Sequence, residues 1–422
     1  MERNCSNRGC NNITTGGSDI DYDAIVVGAG PAGSTTAKFL AQKGIKTLLL
    51  DKEKFPRDKP CAGGLPIRVL QQFPYVKNDI LIEAYISSGT MFSPSQRHKI
   101  EISKETPVLA MVLRKKFDHE LVKFAKEAGA EFQDASPVSS VQMTKDAALV
   151  TLNNGKTLQS EIIVAADGVN SDIAQSLGLR TPGLERGLCI LQEFEVDEKT
   201  MDEYFKNPRH CYIHSRFKTV AGYGWVFPKK EHLNIGFGII QMQKNQQTIN
   251  VRTSYQEYVT LLKKERLIPQ ELKDTPVKGG SLLTQPLEKT YADRLLLVGD
   301  AAGFVNPLTG EGIYYAMASG QIAASVIAEA VEKKQTDEKF LSRYQTLWQN
   351  DFGRDIDLIL KVVKRGSMEY AEKVFSITCK DPVLTDLMMG VITGQESVQR
   401  QKWKIVRRFF YSSLKNKLHL LK

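Results

Sequence analysis

The run Gly28-Ala29-Gly30-Pro31-Ala32-Gly33 constrains this chain more than any other feature. Before it stands Tyr22 to Val27, a short β-branched run suited to a buried parallel strand. After it a helix is expected from about Ala32 to Lys43, closed by Gly44, because a glycine just past a helix end adopts the left-handed conformation at little cost. Thr47 to Leu50 reads as a second strand, and Asp51 stands at its end. The whole is one βαβ unit. Within that unit the glycines permit a tight turn and close backbone approach to a pyrophosphate. The helix N-terminus offers free N–H groups and the positive end of its dipole. Gly28, Gly30, Ala32, Gly33, Asp51 and the adjoining Lys52 are therefore candidate dinucleotide contacts. Asp51 is placed to accept hydrogen bonds from ribose hydroxyls, and an acid there disfavours a 2′-phosphate, which argues against NADP as the resident dinucleotide.

Two later motifs point to FAD. Ala166-Asp167-Gly168-Val169-Asn170-Ser171 follows a strand over Ile162 to Ala166, with Asp167 and Ser171 as candidate contacts. Arg294 to Val298 reads as another strand, followed by Gly299-Asp300-Ala301-Ala302-Gly303. Asp300, at a strand end among small residues, suits the ribityl chain. The run continues through Pro307, Gly310, Gly312 and Ile313, where glycines let backbone approach a flat ring. The helix starting near Gly312 would aim its positive end at the isoalloxazine and favour its anionic reduced form.

At about 150 residues per domain, 422 residues allow two or three domains. Residues 1–20 are polar and read as a disordered leader. Residues 21–183 and 284–345 form the expected discontinuous FAD-binding domain. From Leu184 to Leu283 strand-like runs alternate, which predicts an inserted, mainly antiparallel sheet that binds substrate; residues 346–422 read as a helical C-terminal region. Ile313 to Ala328 carries no charge but is shorter than the roughly 20 residues of a membrane span, so it is expected to be a buried helix.

The three motifs in this order resemble the flavoprotein fold of the aromatic hydroxylases: an α/β, Rossmann-type FAD-binding domain with an inserted sheet. Arg114, with Asp118 and Leu121, resembles that fold's Arg-x-x-x-Asp-x-x-Leu helix, whose arginine lies near the cofactor. Within that superfamily, the run from Phe55 to Leu65 and the run Gly222-Tyr223-Gly224-Trp225-Val226-Phe227-Pro228-Lys229 resemble the geranylgeranyl reductases. The resemblance covers roughly Asp21 to Gln345. One departure is Ala62, where the family carries glycine after the cysteine. The resemblance implies contact of the Cys61-Ala62-Gly63 loop with FAD and a functional role for Cys61. It also implies hydride transfer from reduced FAD to isolated double bonds of a prenyl chain on a lipid or pigment precursor.

An isolated alkene has no carbonyl to polarise, so the expected route protonates it and delivers hydride to the resulting cation. Tyr223 and Trp225 sit two apart on an expected strand and so face one side. They suit an aromatic wall, with cation–π contact worth about 0.5–2 kcal/mol. Cys61 is a candidate to relay a proton or to shape the site near flavin N5, beside the plainer reading of a small buried apolar residue, and Tyr223, Trp225, Phe227 and Pro228 are the candidate substrate contacts. Buried prenyl CH₂ groups contribute about 0.8 kcal/mol each, so an apolar tunnel walled by the inserted sheet is expected to carry the affinity. Arg57 and Lys59 read as solvated loop charges in preference to phosphate ligands. Gly236-Phe237-Gly238 lacks a third glycine, so no second dinucleotide fingerprint appears, and NADPH or ferredoxin is expected to visit transiently as reductant.

From Arg400 to Lys422 there are eight Lys or Arg and no acid, against a net charge of +9 for the whole chain. Nucleic-acid binding is therefore not implied globally. Trp403, Val406, Phe410, Leu414, Leu418 and Leu421 recur at spacings of three or four among those basic residues. Such a helix lies on an anionic membrane or packs on the protein with a solvated basic face. Six scattered cysteines, including Cys5 and Cys10, form no Cys-x-x-Cys pair, which fits a reducing cytoplasm, while the basic tail is where peripheral membrane association is expected. Two other readings stand beside the reductase. One is a flavin monooxygenase or halogenase of the same fold, for which Lys59 is the candidate catalytic lysine. The other is a non-catalytic flavin- or lipid-binding protein.

Overall fold

The computed structural model describes residues 20–181, 183–217, 221–240 and 249–418. The leader through residue 19, with Cys5 and Cys10, lies outside the described residues, as does Leu421. The four cysteines within them, Cys61, Cys189, Cys211 and Cys379, are free.

The first sheet grows from the predicted βαβ unit. Its strands run in the order Tyr291–Ala292, Leu295–Leu297, Thr157–Ala165, Tyr22–Val27, Thr47–Leu50 and Glu131–Gln133. The hairpin Val138–Met143 and Ala148–Leu152 joins through Thr157–Ala165. From Leu295–Leu297 to Glu131–Gln133 the pairing is parallel. Helices cover such a sheet on both faces, which is why its strands read as continuous apolar runs. Ala24, Ile25 and Val26 are wholly buried. The uncharged run opens a helix, Ile313–Lys333, which packs against Pro31–Gln42; Ala318, Ala323 and Ala324 are buried in the core. Among the described residues no helix is long and apolar enough to cross a membrane.

The second sheet runs Lys278–Leu283, Arg186–Glu195, His232–Ile240, Gly222–Pro228, Arg209–Ser215, Ala84–Phe92, Leu109–Met111, Gly64–Pro66, with Lys99–Ser103 beside Ala84–Phe92. It is mainly antiparallel, as expected, although Arg209–Ser215 pairs in parallel with Ala84–Phe92. Its extent corrects the sequence reading. Four strands come from residues 64–111, a stretch assigned there to the nucleotide fold. These strands are short or only partly buried, so their alternation is weak in sequence. Pairing with distant strands completes them.

From Glu338 onward the described residues form five α-helices, the first two joined by the π-helical turn Gln349–Gly353: Glu338–Trp348, Arg354–Arg365, Met368–Thr378, Pro382–Ile392 and Val398–Lys417. Their starts are local. Asp337, Ser367, Asp381 and Ser397 each accept a first-turn amide, which satisfies a donor the helix leaves free.

Candidate active site

The parallel register places the three motifs together. Val27 is paired with Leu50 and with Ala165, and Ala165 with Leu297. The segments after these residues all leave the sheet at the same edge, where ligands of such folds bind. Gly28 has a φ of 107°, and a side chain there would lie 2.3 Å from the Ala166 carbonyl oxygen. A side chain at Gly33 would lie 1.8 Å from the Gly28 oxygen, so this glycine serves close packing and stands off the cavity lining. Gly30 differs: its nearest neighbour is the Arg57 guanidinium at 3.7 Å, and its open side faces the cavity. Gly30 caps Pro31–Gln42 with no side-chain acceptor, leaving first-turn amides for an anion.

Asp51 is buried. One of its oxygens accepts the Ala29 amide at 2.7 Å and the other the Glu53 amide at 2.8 Å. It thus fixes the glycine turn as well as lining the cavity. Each carboxylate oxygen has a second acceptor site for a ribose hydroxyl. The exposed Lys52 lines the same end. Asp167 lines the cavity with one oxygen accepting the Ile173 amide at 3.3 Å, while Oδ1 is buried and unpartnered. Burial raises its pKa. Ser171, expected as a cofactor contact, instead accepts the Ala174 amide and caps Asp172–Ser176. It is buried at the helix start and lies off the cavity lining.

Asp300 is half-buried behind Gly312, and burial raises its pKa against the pull of Lys59 and Arg114. The loop carrying Pro307, Gly310, Gly312 and Ile313 lines the cavity. It is held by Asn306, whose Oδ1 accepts the Leu308 and Thr309 amides at 2.9 and 3.2 Å. The helix Ile313–Lys333 starts at Gly312, as expected, but its positive end is partly engaged. The Tyr314 amide donates to Glu311 at 2.6 Å, and Glu311 pairs with Arg68 at 3.1 Å.

Arg114 grips Asp118 through two bonds of 2.7 Å. Burial opposes its charge, yet Asp118 and the Cys61 sulfur outweigh that and raise its pKa. Arg57, read from sequence as a solvated charge, pairs with the same buried Asp118 at 2.9 Å and covers the Phe55 ring. The correction arises because Asp118 belongs to a distant helix. Lys59 remains exposed on the cavity rim.

The Cys61 loop connects the two sheets. Cys61 Sγ accepts the Gly63 amide at 3.4 Å. Gly63 has a φ of 78° and lies against the Val112 carbonyl, so the left-handed residue of this loop is Gly63 and Ala62 fits its own place on the lining. The Cys61 carbonyl accepts Asn234 Nδ2 at 3.4 Å, and Asn234 Oδ1 accepts the Trp225 indole N–H at 2.8 Å. Asn234 is fully buried, and the sequence reading missed it; its signal was a single amide inside the apolar strand His232–Ile240.

Tyr223 and Trp225 share one pleat face as predicted, with ring centroids 5.6 Å apart, and Phe227 follows on that face. Pro228 has the opposite pleat and does not line the cavity, which corrects its expected substrate contact. A side chain at Gly236 would lie 2.0 Å from the Trp225 ring, so Gly236-Phe237-Gly238 makes room for the indole. The Tyr223 hydroxyl donates to the Thr309 carbonyl, and burial raises its pKa. Cys189 on a neighbouring strand also lines the site, its thiol pushed up to about 11 by burial.

The cavity measures about 1760 Å³. Beyond the aromatic pair it extends between the second sheet and the C-terminal helices, where Leu358, Val374, Met388 and Ile405 form a wall the sequence reading did not assign. Glycine-lined strand ends, an orphaned carboxylate oxygen and open helix amides fit a dinucleotide whose ring end abuts an apolar chamber. These features define a two-sheet flavoprotein of the Rossmann type.

An FAD-binding-domain family model matches residues 21–348. Digeranylgeranylglycerophospholipid reductase of Methanocaldococcus jannaschii is 33% identical over 344 residues, covering 78% of this chain and 82% of its own. Digeranylgeranylglycerophospholipid reductase 2 of Methanopyrus kandleri is 31% identical over 414 residues, covering 96% and 100%. A crystal structure of a geranylgeranyl bacteriochlorophyll reductase-like protein from Thermoplasma acidophilum superposes with a TM-score of 0.74 at 24% identity, covering 90% of this chain and 98% of that one. That likeness shows the shared fold. The chain belongs to the FAD-binding-domain flavoproteins and, among them, to the geranylgeranyl reductase family.

Proposed function

We propose that this enzyme saturates carbon–carbon double bonds of a geranylgeranyl chain on a lipid precursor, using FAD. The observation that carries the reading is the continuity of one cavity from the dinucleotide cradle, past Cys61, Tyr223 and Trp225, into an apolar chamber. Bound FAD, once reduced by the electron donor, would supply the hydride. Gly28, Gly30, Ala32, Asp51, Asp167 and Asp300 line the cradle and would hold and orient it. The chamber excludes water from the alkene, and the Tyr223 and Trp225 rings offer π faces to positive charge developing on carbon. Tyr223 acts as wall and not as acid, because its proton is committed to the Thr309 carbonyl. The Cys61 thiol, beside Arg114, is the proton relay. NADPH or ferredoxin docks transiently to reload the flavin. Membrane contact runs through Val398–Lys417, where Trp403 is 68% and Phe410 69% exposed among basic residues.

The test is anaerobic reduction of the FAD-loaded protein followed by mass spectrometry of added geranylgeranyl lipids. The expected result is the mass of one added H₂ per saturated bond. Oxygen consumption coupled to substrate, with no saturated product, would establish a monooxygenase or halogenase instead.

A further inference from the structure

At the outer end of the chamber stands a cation with no counter-charge among the described residues. Arg216 follows the strand Arg209–Ser215, one residue past the Ser215–Tyr223 pair, so the backbone that positions it is continuous with the aromatic wall. It is half-buried and lines the cavity. Its guanidinium donates one hydrogen bond, to the carbonyl of Gly366 at 2.8 Å, at the end of Arg354–Arg365.

Several other enclosed arginines are neutralised, although among the described residues Arg180 also bonds only a backbone carbonyl, that of Val169. Arg57 and Arg114 meet Asp118, Arg68 meets Glu311, and Arg294 meets Glu161. Arg216 has no ion pair with any described carboxylate. Burial alone acts on it and lowers its pKa. An arginine cannot shed its proton in a protein, and an enclosed unpaired charge is costly. Among the described residues one of its five donors is used, which leaves the geometry that grips an oxyanion through two parallel bonds.

The location tells which anion. Val362 and Tyr370 line the cavity and are 51% and 50% exposed, so the chamber opens to the outside there, on either side of Gly366 in the chain. Lys402 lines the same cavity and is bonded to the neutral Gln399, whereas Lys104 is neutralised by Asp386 at 2.7 Å. A positive group at the mouth of an apolar chamber suits an amphiphile that enters tail first.

We infer that Arg216 binds the phosphate head group of the prenyl substrate at the mouth of the chamber, with the chain directed inward to Tyr223 and Trp225. This rests on the reductase reading above and makes Arg216 a specificity-determining residue.

Binding is measured without turnover, on the full FAD-loaded chain. Equilibrium dialysis in neutral detergent uses geranylgeranyl monophosphate, geranylgeraniol and inorganic phosphate as probes. Arg216→Gln is expected to weaken the monophosphate about 10- to 100-fold, the range of one lost charge-assisted contact, and to leave geranylgeraniol unchanged. Arg216→Lys is expected to restore part of the loss. Retained flavin absorbance in both variants confirms an intact fold; if Arg216→Gln loses it, the comparison of the two lipids in Arg216→Lys decides. Equal weakening of both lipids, or no weakening of either, overturns the anchor. So does inorganic phosphate that competes as well as the lipid phosphate, since that marks a free-anion site. Monophosphate bound through Arg216 but never reduced sinks the reductase reading and leaves the anchor standing.

Discussion

The cofactor cradle and the substrate chamber are built on different principles. The cradle is made of backbone: four parallel strands end in register, and the turns after them present amides, glycines and three aspartates. The chamber is made of side chains from the second sheet and from helices far away in sequence, held in place by contacts such as Trp225–Asn234–Cys61. A backbone site tolerates little change at a few positions. A side-chain site is sensitive at positions that look unremarkable in sequence.

The largest expected effect is on the cradle. Gly33→Val places a side chain against the Gly28 carbonyl, where 1.8 Å is available. FAD affinity is expected to fall by roughly two orders of magnitude, or ~3 kcal/mol, and the purified protein should be colourless. Flavin absorbance after dialysis checks this, and a variant that stays yellow breaks the contrast between the regions.

Gly236→Val sharpens the contrast from the other side. It displaces the Trp225 indole, 2.0 Å from the added carbon, while the parallel sheet is untouched. Flavin content should remain near wild type while prenyl reduction drops by at least about tenfold, from lost cation–π and shape complementarity. Simultaneous loss of colour and turnover would show that the two regions fold as one.

On the outer face of the chamber, replacing Trp403 and Phe410 together by Ser removes the two most exposed rings of Val398–Lys417. Binding to anionic vesicles in a sedimentation assay should weaken several-fold, with turnover on detergent-dispersed substrate preserved. Unchanged sedimentation removes the membrane contact.

The smallest effect concerns how the chamber's helices hold together. Asp381 accepts Arg408 at 2.7 and 2.9 Å and also bonds the Ser412 hydroxyl. Burial opposes its charge, but these partners hold its pKa at about 2, below the ordinary 3.8. A folded pKa below the unfolded one gives stability that is present above 3.8 and lost as pH falls toward about 2. Thermal unfolding of Asp381→Asn should show a lower melting temperature at neutral pH and a smaller decline across that acid window. An identical pH profile in variant and wild type contradicts the assignment.

Much of the cradle is legible in the amino-acid sequence. Gly28, Gly30, Asp51, Asp167 and Asp300 all fall at expected strand ends, and the register brings those ends together. The misreadings share one cause. Ser171 follows a flavin-type motif but spends its hydroxyl on a helix cap. Pro228 belongs to the same motif as Tyr223, Trp225 and Phe227, but alternate strand residues face opposite sides. Arg57 looked solvated because its partner Asp118 lies far along the chain, in another element. Asn234 and Cys189 carry no motif, and only strand pairing brings them beside Trp225 and Cys61.

Local chemistry was enough to specify the βαβ unit, the order of the three flavin motifs, the buried uncharged helix and the basic C-terminal helix. Each rests on neighbouring residues: a turn that only glycine permits, a period of apolar residues, a run of like charge. Folding in three dimensions was needed to establish that residues 64–111 complete the second sheet, that the C-terminal helices wall the chamber, and that Arg216 stands there without a described acid beside it. Those outcomes depend on which distant faces bury one another, and apolar burial is non-directional, so it leaves no mark on neighbouring residues in the chain.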